Sequence, residues 1–205
     1  MRSLVSVLAF TVAGCAFTDV PLRLPPSVGT GLSGGDGRVV VVRRPFKDAR
    51  ADTRRCGMQK NGAGSATAKA VCSEDPATWL AELLATELRA AGFTVAESSD
   101  KPSAVQLEGT LAQLFVEPLV LFSTVDLETD VKVTLVATST TGLVADRTFY
   151  VKGVRSSAGA TAANFQKSIE IASQQIARDL VAAVLSLMNR YPELGAVRRA
   201  PRGVS

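Results

Sequence analysis

The sequence predicts an α+β fold: a mixed, largely antiparallel sheet in the order β-α-β-β-β-β-α, with two helices packed on one face. Three observations lead there. Val39-Val40-Val41-Val42 is a continuous β-branched run, the pattern of a strand covered on both faces. Two stretches, one beginning at Trp79 and one running from Phe165 to Tyr191, carry apolar residues at helical spacing. Between them lie three stretches of alternating apolar and polar residues joined by short turns, which is the signature of an antiparallel meander.

The N-terminus resembles a bacterial lipoprotein signal. Met1-Arg2 is followed by a short apolar stretch over residues 4–12, and Val12-Ala13-Gly14 places small residues just before Cys15. Nine residues are too few for a permanent span, which needs roughly 20. Residues 1–14 are therefore read as a signal peptide, and cleavage before Cys15 would leave a cysteine able to carry a thioether-linked lipid and an N-acyl chain. At about 0.8 kcal/mol per buried methylene, two or three chains hold a protein on a bilayer where one is marginal. Ala16 and Phe17 follow, in place of the Asp that commonly retains lipoproteins in the inner membrane. The expected location is the outer membrane, lipid-anchored, on the periplasmic face.

Residues 15–37 read as the lipidated cysteine and a flexible linker, because Pro21, Pro25, Pro26 and five glycines stand among few periodic apolar residues. Fully extended, residues 16–37 span about 70 Å. Residues 38–192 are one domain's worth of chain, long enough to bury a core. Within it Cys56 and Cys72 are an even pair in an exported chain, which favours a disulfide worth about 3 kcal/mol of loop-closure entropy; two unpaired thiols are the alternative.

The elements follow in order. After the valine run a long connection ends at Asp75-Pro76, an N-cap and first helical residue. Trp79, Leu80, Leu83, Leu84 and Leu88 then recur at helical spacing up to the left-handed stop at Gly92, predicting a helix over 76–91. A short strand over 93–96 is expected parallel to the first. The meander strands are centred on 105–115, 127–135 and 144–154, the last after the Thr141-Gly142 turn. Phe165, Ile169, Ala172, Ile176, Leu180, Val184, Leu187 and Tyr191 trace one face of a closing helix that ends before Pro192. Residues 193–205, with Arg198, Arg199 and Arg202, read as a basic disordered tail.

Several chemistries are bounded by composition. The chain has no histidine, so Ser-His-Asp and Cys-His nucleophile systems and the common zinc hydrolase sites are excluded. Ser98-Ser99-Asp100-Lys101 contains Ser-x-x-Lys but sits in a polar turn, not on a helix, and Gly57, Gly62 and Gly64 lack the Gly-Lys-Ser/Thr string of a phosphate loop. Asp126, Glu128 and Asp130 share one strand face at about 7 Å spacing and read as the wet side of a sheet. No catalytic residue, metal site or cofactor is expected, and the protein reads as a non-enzyme.

Charge is unevenly placed. Residues 38–69 carry an excess of seven positive charges, and residues 73–100 an excess of five negative ones. Two readings stand: a solvated loop neutralised by the acidic helix beside it, or a surface for an anionic partner, centred on Arg43, Arg44, Arg50, Arg54 and Arg55. For an exported domain that partner would be an anionic lipid, the cell wall or an envelope protein, and not nucleic acid.

Pro45-Phe46-Lys47-Asp48-Ala49-Arg50 soon after the first strand, Gly57, the Trp79-Leu80 helix, Gly92-Phe93, and the later meander with its long helix together resemble the YajG family of bacterial lipoproteins over residues 38–190. The resemblance implies a lipid-anchored envelope protein that acts as a binding or scaffolding module, with no catalytic residues to carry over. A weaker resemblance, in the lipobox, the early strand, the helix beginning near a tryptophan, the meander and the closing helix, is to auxiliary lipoproteins of ABC-type systems that move lipids through the envelope.

Overall fold

A computed structural model describes residues 18–98, 103–140 and 142–195. The signal segment with Cys15, the Ser99 to Lys101 part of the Ser-x-x-Lys string, and the arginines of residues 196–205 lie outside the described residues.

The sheet is organised around three long strands, β7 (Val105–Val120), β8 (Val125–Ser139) and β9 (Gly142–Ser157), paired as the expected antiparallel meander. Strict alternation buries Leu127, Thr129, Val131, Val133 and Leu135 of β8 under the helices and leaves Glu128, Asp130 and Lys132 on the other face. In β7 the alternation slips, since Leu111 and Leu114 are both buried. A bulge at Ala112 inserts the extra residue that lets both face the core.

The free side of β7 is filled by three short parallel partners in succession: β2 (Val39–Val42), β3 (Lys47–Asp48) and β4 (Arg55–Lys60). β6 (Thr94–Ala96) adds to β2 in parallel, as the crossover rule predicts. β5 (Ala66–Cys72) pairs antiparallel with β4, and β1 (Val20–Leu22) closes that wing parallel to β5. The four valines of β2 are all buried.

Helix α1 (Pro76–Ala90) starts and stops where its sequence signals lie. The Asp75 carboxylate accepts from Thr78 N–H at 2.7 Å, and Gly92 takes a positive φ of 92° just past the end. Helix α2 (Ala162–Arg190) buries Phe165, Ile169, Ala172, Ile176, Leu180 and Val184 on the sheet. In its last turn Met188 takes the buried position, while Leu187 is half-buried and Tyr191 exposed, because the 3.6-residue period has rotated them off the core. The helix lies so close to β9 that a Cβ at Gly153 would sit 2.7 Å from Ser168 O and Ala172 N. Ser168 fills its buried site with bonds to Leu127 O and Gly153 O and a 2.7 Å contact with Thr129 Oγ1.

Three expectations are corrected. The long connection before α1 contains β3 and the β4–β5 hairpin, whose strands carry Ala, Gly, Gln and Lys in place of large apolar residues and so give no periodic signal. The described part of the flexible linker, residues 18–37, is an ordered strap. After β1, Leu24 N–H donates to Glu74, Trp79 Nε1–H donates to Pro25 O at 2.7 Å, and Gly35 and Gly37 N–H bond Ala91 O and Gly92 O, so the strap follows α1 from end to end. The tail begins later than Glu193: Leu194 is buried, and Gly195 bonds Ser103 O and receives Val39 N–H.

Glu87 is the strongest clasp on the strap. Its side chain is fully buried on α1, and its carboxylate accepts from Ser27 Oγ–H (2.8 Å) and from the N–H groups of Val28 (2.8 Å), Gly29 (3.0 Å) and Thr30 (2.9 Å). Gly29, at φ 64°, supplies the left-handed backbone that turns three successive amides onto one anion. Burial pushes the carboxyl pKa up, but the amides of Thr30 and Val28, the Ser27 hydroxyl and the Gly29 amide outweigh it and leave the pKa at about 2. Replacing Glu87 with Gln should therefore cost about 2–3 kcal/mol in urea unfolding at pH 7. With its folded pKa below the ordinary 4.5, this group stabilises the fold fully above pH 4.5, and that contribution is lost as pH falls toward 2. The Gln variant should lack this part of the acid dependence, and an acid profile identical to wild type would contradict the assignment.

Candidate functional site

The helix-free face of the meander presents Gln106, Glu108, Gln113, Phe115 and Glu117 from β7, and the acidic row with Lys132 from β8. The basic segment runs along the β7 side of this face, because β2, β3 and β4 are the partners of that strand. The sheet thus spreads the five candidate arginines, Arg43, Arg44, Arg50, Arg54 and Arg55, along one edge, and the surroundings divide their roles.

Arg50 is taken up by the fold. Its side chain is only 6% exposed, and it forks onto Asp48 Oδ1 and Oδ2 at 3.0 and 2.8 Å while donating to Thr53 O, Arg55 O and Cys56 Sγ. Burial raises the Asp48 pKa, and the Arg50 hydrogen bonds and charge more than reverse that, holding the carboxyl below its ordinary range. Phe46 packs its ring on Gly109, where a Cβ would lie 2.3 Å from the ring. The Pro45 to Arg50 string is thereby a structural joint between β2, β7 and β4.

Arg44 turns toward α1 and meets both oxygens of Glu82 at 2.8 and 2.9 Å. That pair is the neutralisation by the acidic helix that one reading of the charge pattern expected, whereas Lys60 is met at 3.0 Å by Glu117 of β7. Arg43, Arg54 and Arg55 are placed differently. Arg43 is exposed, steadied by Gln106 Oε1 at 2.8 Å, and borders with Pro45, Lys47 and Glu108 a hollow of about 260 Å³. Arg55 lies 5.4 Å from the Phe115 ring centre, a cation–π contact, and borders with Gln113 a second hollow of about 280 Å³. Arg54 is exposed beside it.

The acidic row carries its own cation. Lys152 Nζ donates to Glu128 and lies 3.8 Å from Asp130, and Tyr150 donates its hydroxyl to Asp130. The hydrogen bond to Glu128 raises the Lys152 pKa, and the bond to Asp130 raises that of Tyr150. Among the described residues no group of three or more Cys, Asp or Glu side chains is arranged to hold a metal ion. Cys56 and Cys72 have bonded sulfurs and Cα atoms 5.6 Å apart across β4 and β5.

A further hollow, which the sequence did not reveal, opens between the end of α2 and β9. It measures about 330 Å³ and is lined by Leu107, Leu135, Phe149, Leu187 and Arg190, with Arg147 standing 5.9 Å over Phe149. Its two arginines lie in different elements and outside any charge run, so only the packing of α2 on β9 brings them together.

Residues 40–183 match the Lipoprotein_16 family, described as an uncharacterized lipoprotein. The chain belongs to this family. It is a YajG-type bacterial lipoprotein, envelope-associated and lipid-anchored. Its fold is similar to that of a Xanthomonas campestris protein of family DUF330, over 86% of this chain and 99% of the other, with a TM-score of 0.56 and 14% identity. A minor lipoprotein from Acinetobacter baumannii aligns over 52% of this chain and 81% of its own, at 19% identity and a TM-score of 0.36. No curated protein gives a significant match. Among the described residues of this lipoprotein no helix is long and apolar enough to cross a membrane.

The two classes of arginine should separate in stability. Arg50→Met strands a buried Asp48 carboxylate and should lower unfolding free energy by about 3 kcal/mol. Arg54→Met should stay within about 0.5 kcal/mol of wild type in the same urea titration. Equal losses would mean that Arg50 is not the structural member of the group.

Proposed function

We propose that this lipoprotein is a non-enzymatic binding or scaffolding module, held by lipid on Cys15 in the outer membrane and facing the periplasm, with a Cys56–Cys72 disulfide formed after export. The observation that carries the binding reading is the group Arg43, Arg54 and Arg55. Arg43 and Arg54 are exposed and Arg55 is half-buried, on or beside two hollows of the helix-free edge, while Arg44 and Arg50 are matched by acids of the same chain. None of the three forms an ion pair among the described residues, and cations so placed beside shallow hollows suit an anionic envelope partner. Intact-mass analysis of the mature protein should find a chain beginning at an acylated Cys15 and lighter by two hydrogens than the dithiol. A chain with two alkylatable thiols, or one without lipid mass, would overturn the corresponding part.

A second reading, an accessory subunit of an ABC-type lipid transport system, is favoured by the edge of β9. That strand is sixteen residues long and among the described residues pairs only with β8, leaving a backbone edge onto which another subunit can add a strand.

For the anionic partner, simultaneous charge reversal at Arg43, Arg54 and Arg55 should weaken sedimentation with purified cell-wall fragments or anionic vesicles at least tenfold at low salt. The wild-type interaction should itself fade above about 0.5 M salt. Unchanged binding by the triple variant at low salt would remove the basic edge as the contact.

A further inference from the structure

The turn between β7 and β8 departs from the usual chemistry of a hairpin tip. Residues 121–124 are Leu-Phe-Ser-Thr, closed by Leu121 N–H on Thr124 O at 2.9 Å, where tight turns favour Gly, Asn and Asp. Leu119 and Val120 are each 36% exposed, Leu121 52% and Phe122 107%. Four consecutive apolar side chains thus stand free at the end of two strands, whereas the other large exposed apolar residues among the described residues, Tyr150, Val154, Ile171 and Tyr191, are scattered. A concentrated patch of this kind marks a contact surface.

The strand register says what that surface meets. β1 is parallel to β5, β5 antiparallel to β4, and β4 parallel to β7, so following β1 backward to its start runs in the same sense as following β7 forward to the tip. Val20, Ala70, Gly57 and Val116 are successive partners in one row. Three strand spacings put Val20 within about 15 Å of Val116. Phe122 stands six residues beyond that row, about 20 Å along the strand. Cys15 stands five residues before Val20, no more than about 18 Å away at full extension. The Asp19 carboxylate takes Lys69 N–H at 2.8 Å, so the chain is fixed to the sheet almost to the tether. A lipid on Cys15 therefore brings this end of the sheet against the bilayer.

We infer that Leu119, Val120, Leu121 and Phe122 form a second membrane contact, seated in the interfacial layer of the same bilayer that holds the lipid of Cys15. The inference rests on the proposed lipidation of that cysteine. The chemistry is apolar with an aromatic at its tip, the type of side chain that settles at the headgroup boundary. Asp126 opposite Leu119 and the Lys60–Glu117 pair begin the polar surface immediately above it, which limits the depth of insertion. Nothing in this arrangement calls for anionic lipid, so phosphatidylcholine is a sufficient bilayer.

The test is Phe122→Trp in the full mature lipoprotein, reconstituted at low density in phosphatidylcholine vesicles. The chain's own Trp79 is buried and bonded to Pro25 O, so wild type supplies the baseline. The added emission should be blue-shifted and quenched at least twofold by phosphatidylcholine brominated near the headgroup end of its acyl chains. Leu121→Ser combined with Phe122→Trp should return the emission toward that of indole in water. An introduced indole that emits as in water and is not quenched would overturn the inference. So would a blue shift that grows with protein density and is insensitive to bromolipid, since a second copy would then cover the tip. Vesicle flotation of wild type separates the two claims. A protein that floats while the indole stays in water refutes only the second contact, and one that neither floats nor carries lipid mass refutes the Cys15 reading and this inference with it.

Discussion

The buried carboxylate of Glu87 is the constraint on which the rest of the architecture turns. A charge with no exposure on the core side of α1 is tolerable only because four donors of the strap surround it, and that charge in turn fixes residues 27–30 of the strap. Removing either side leaves the other unsatisfied. The bond set also fixes geometry: with residues 27–30 held near the C-terminal end of α1 and β1 zipped to β5, the chain enters the domain at the far edge of the β4–β5 wing and not at β2. A tether of about 70 Å in the linker reading becomes a few residues before β1.

What the sequence revealed follows the hydrophobic pattern closely. The limits of α1, the meander, the parallel pairing of β2 with β6 and the face of α2 all come from apolar periods and from capping residues such as Asp75, Pro76 and Gly92. What it hid is held by polar groups. The strap is fixed by backbone bonds to Glu74, Trp79 and Glu87, which leave no period in residues 18–37. The one available clue was Glu87 itself, an acid lying between Leu83, Leu84 and Leu88 on a stripe otherwise made for burial. The β4–β5 hairpin is similar, since Gly57 passes against Val116 O where a Cβ would lie at 2.1 Å, and no apolar alternation can announce a contact that needs a missing side chain.

The site was legible as a charge excess and not as a set of roles. Arg44 meets Glu82 across 38 positions of sequence, and Arg50 is buried by a turn that exists only because β4 follows it. Five neighbouring arginines therefore sort into two paired with acids of the chain and three with no ion pair among the described residues, a division fixed by which side chains the fold brings beside each one. The apolar tip was visible as letters but reads as a continuation of β7, because distinguishing a strand's end from its middle depends on where β8 turns back.

The two surfaces are also separated by length. Lys47 pairs with Thr110 and Arg43 bonds Leu107 O, twelve and fifteen residues before Phe122 on β7, which is about 40–50 Å along the strand. Arg55 lies nearer, its wing crossing β7 at Val116. With the tip and Cys15 on the bilayer as proposed, the hollow at Arg43 and Lys47 would be held several Debye lengths from the headgroups of that membrane. Anionic lipid of the anchoring leaflet would then be out of reach of the outermost cations, which favours a partner that approaches from the side away from that membrane, such as the cell wall or an acidic protein surface. The few residues between Cys15 and β1 make this separation meaningful: on a 70 Å linker the domain could tumble and present any face to the membrane, whereas so short a tether would keep one end of β7 near the membrane and the other away from it.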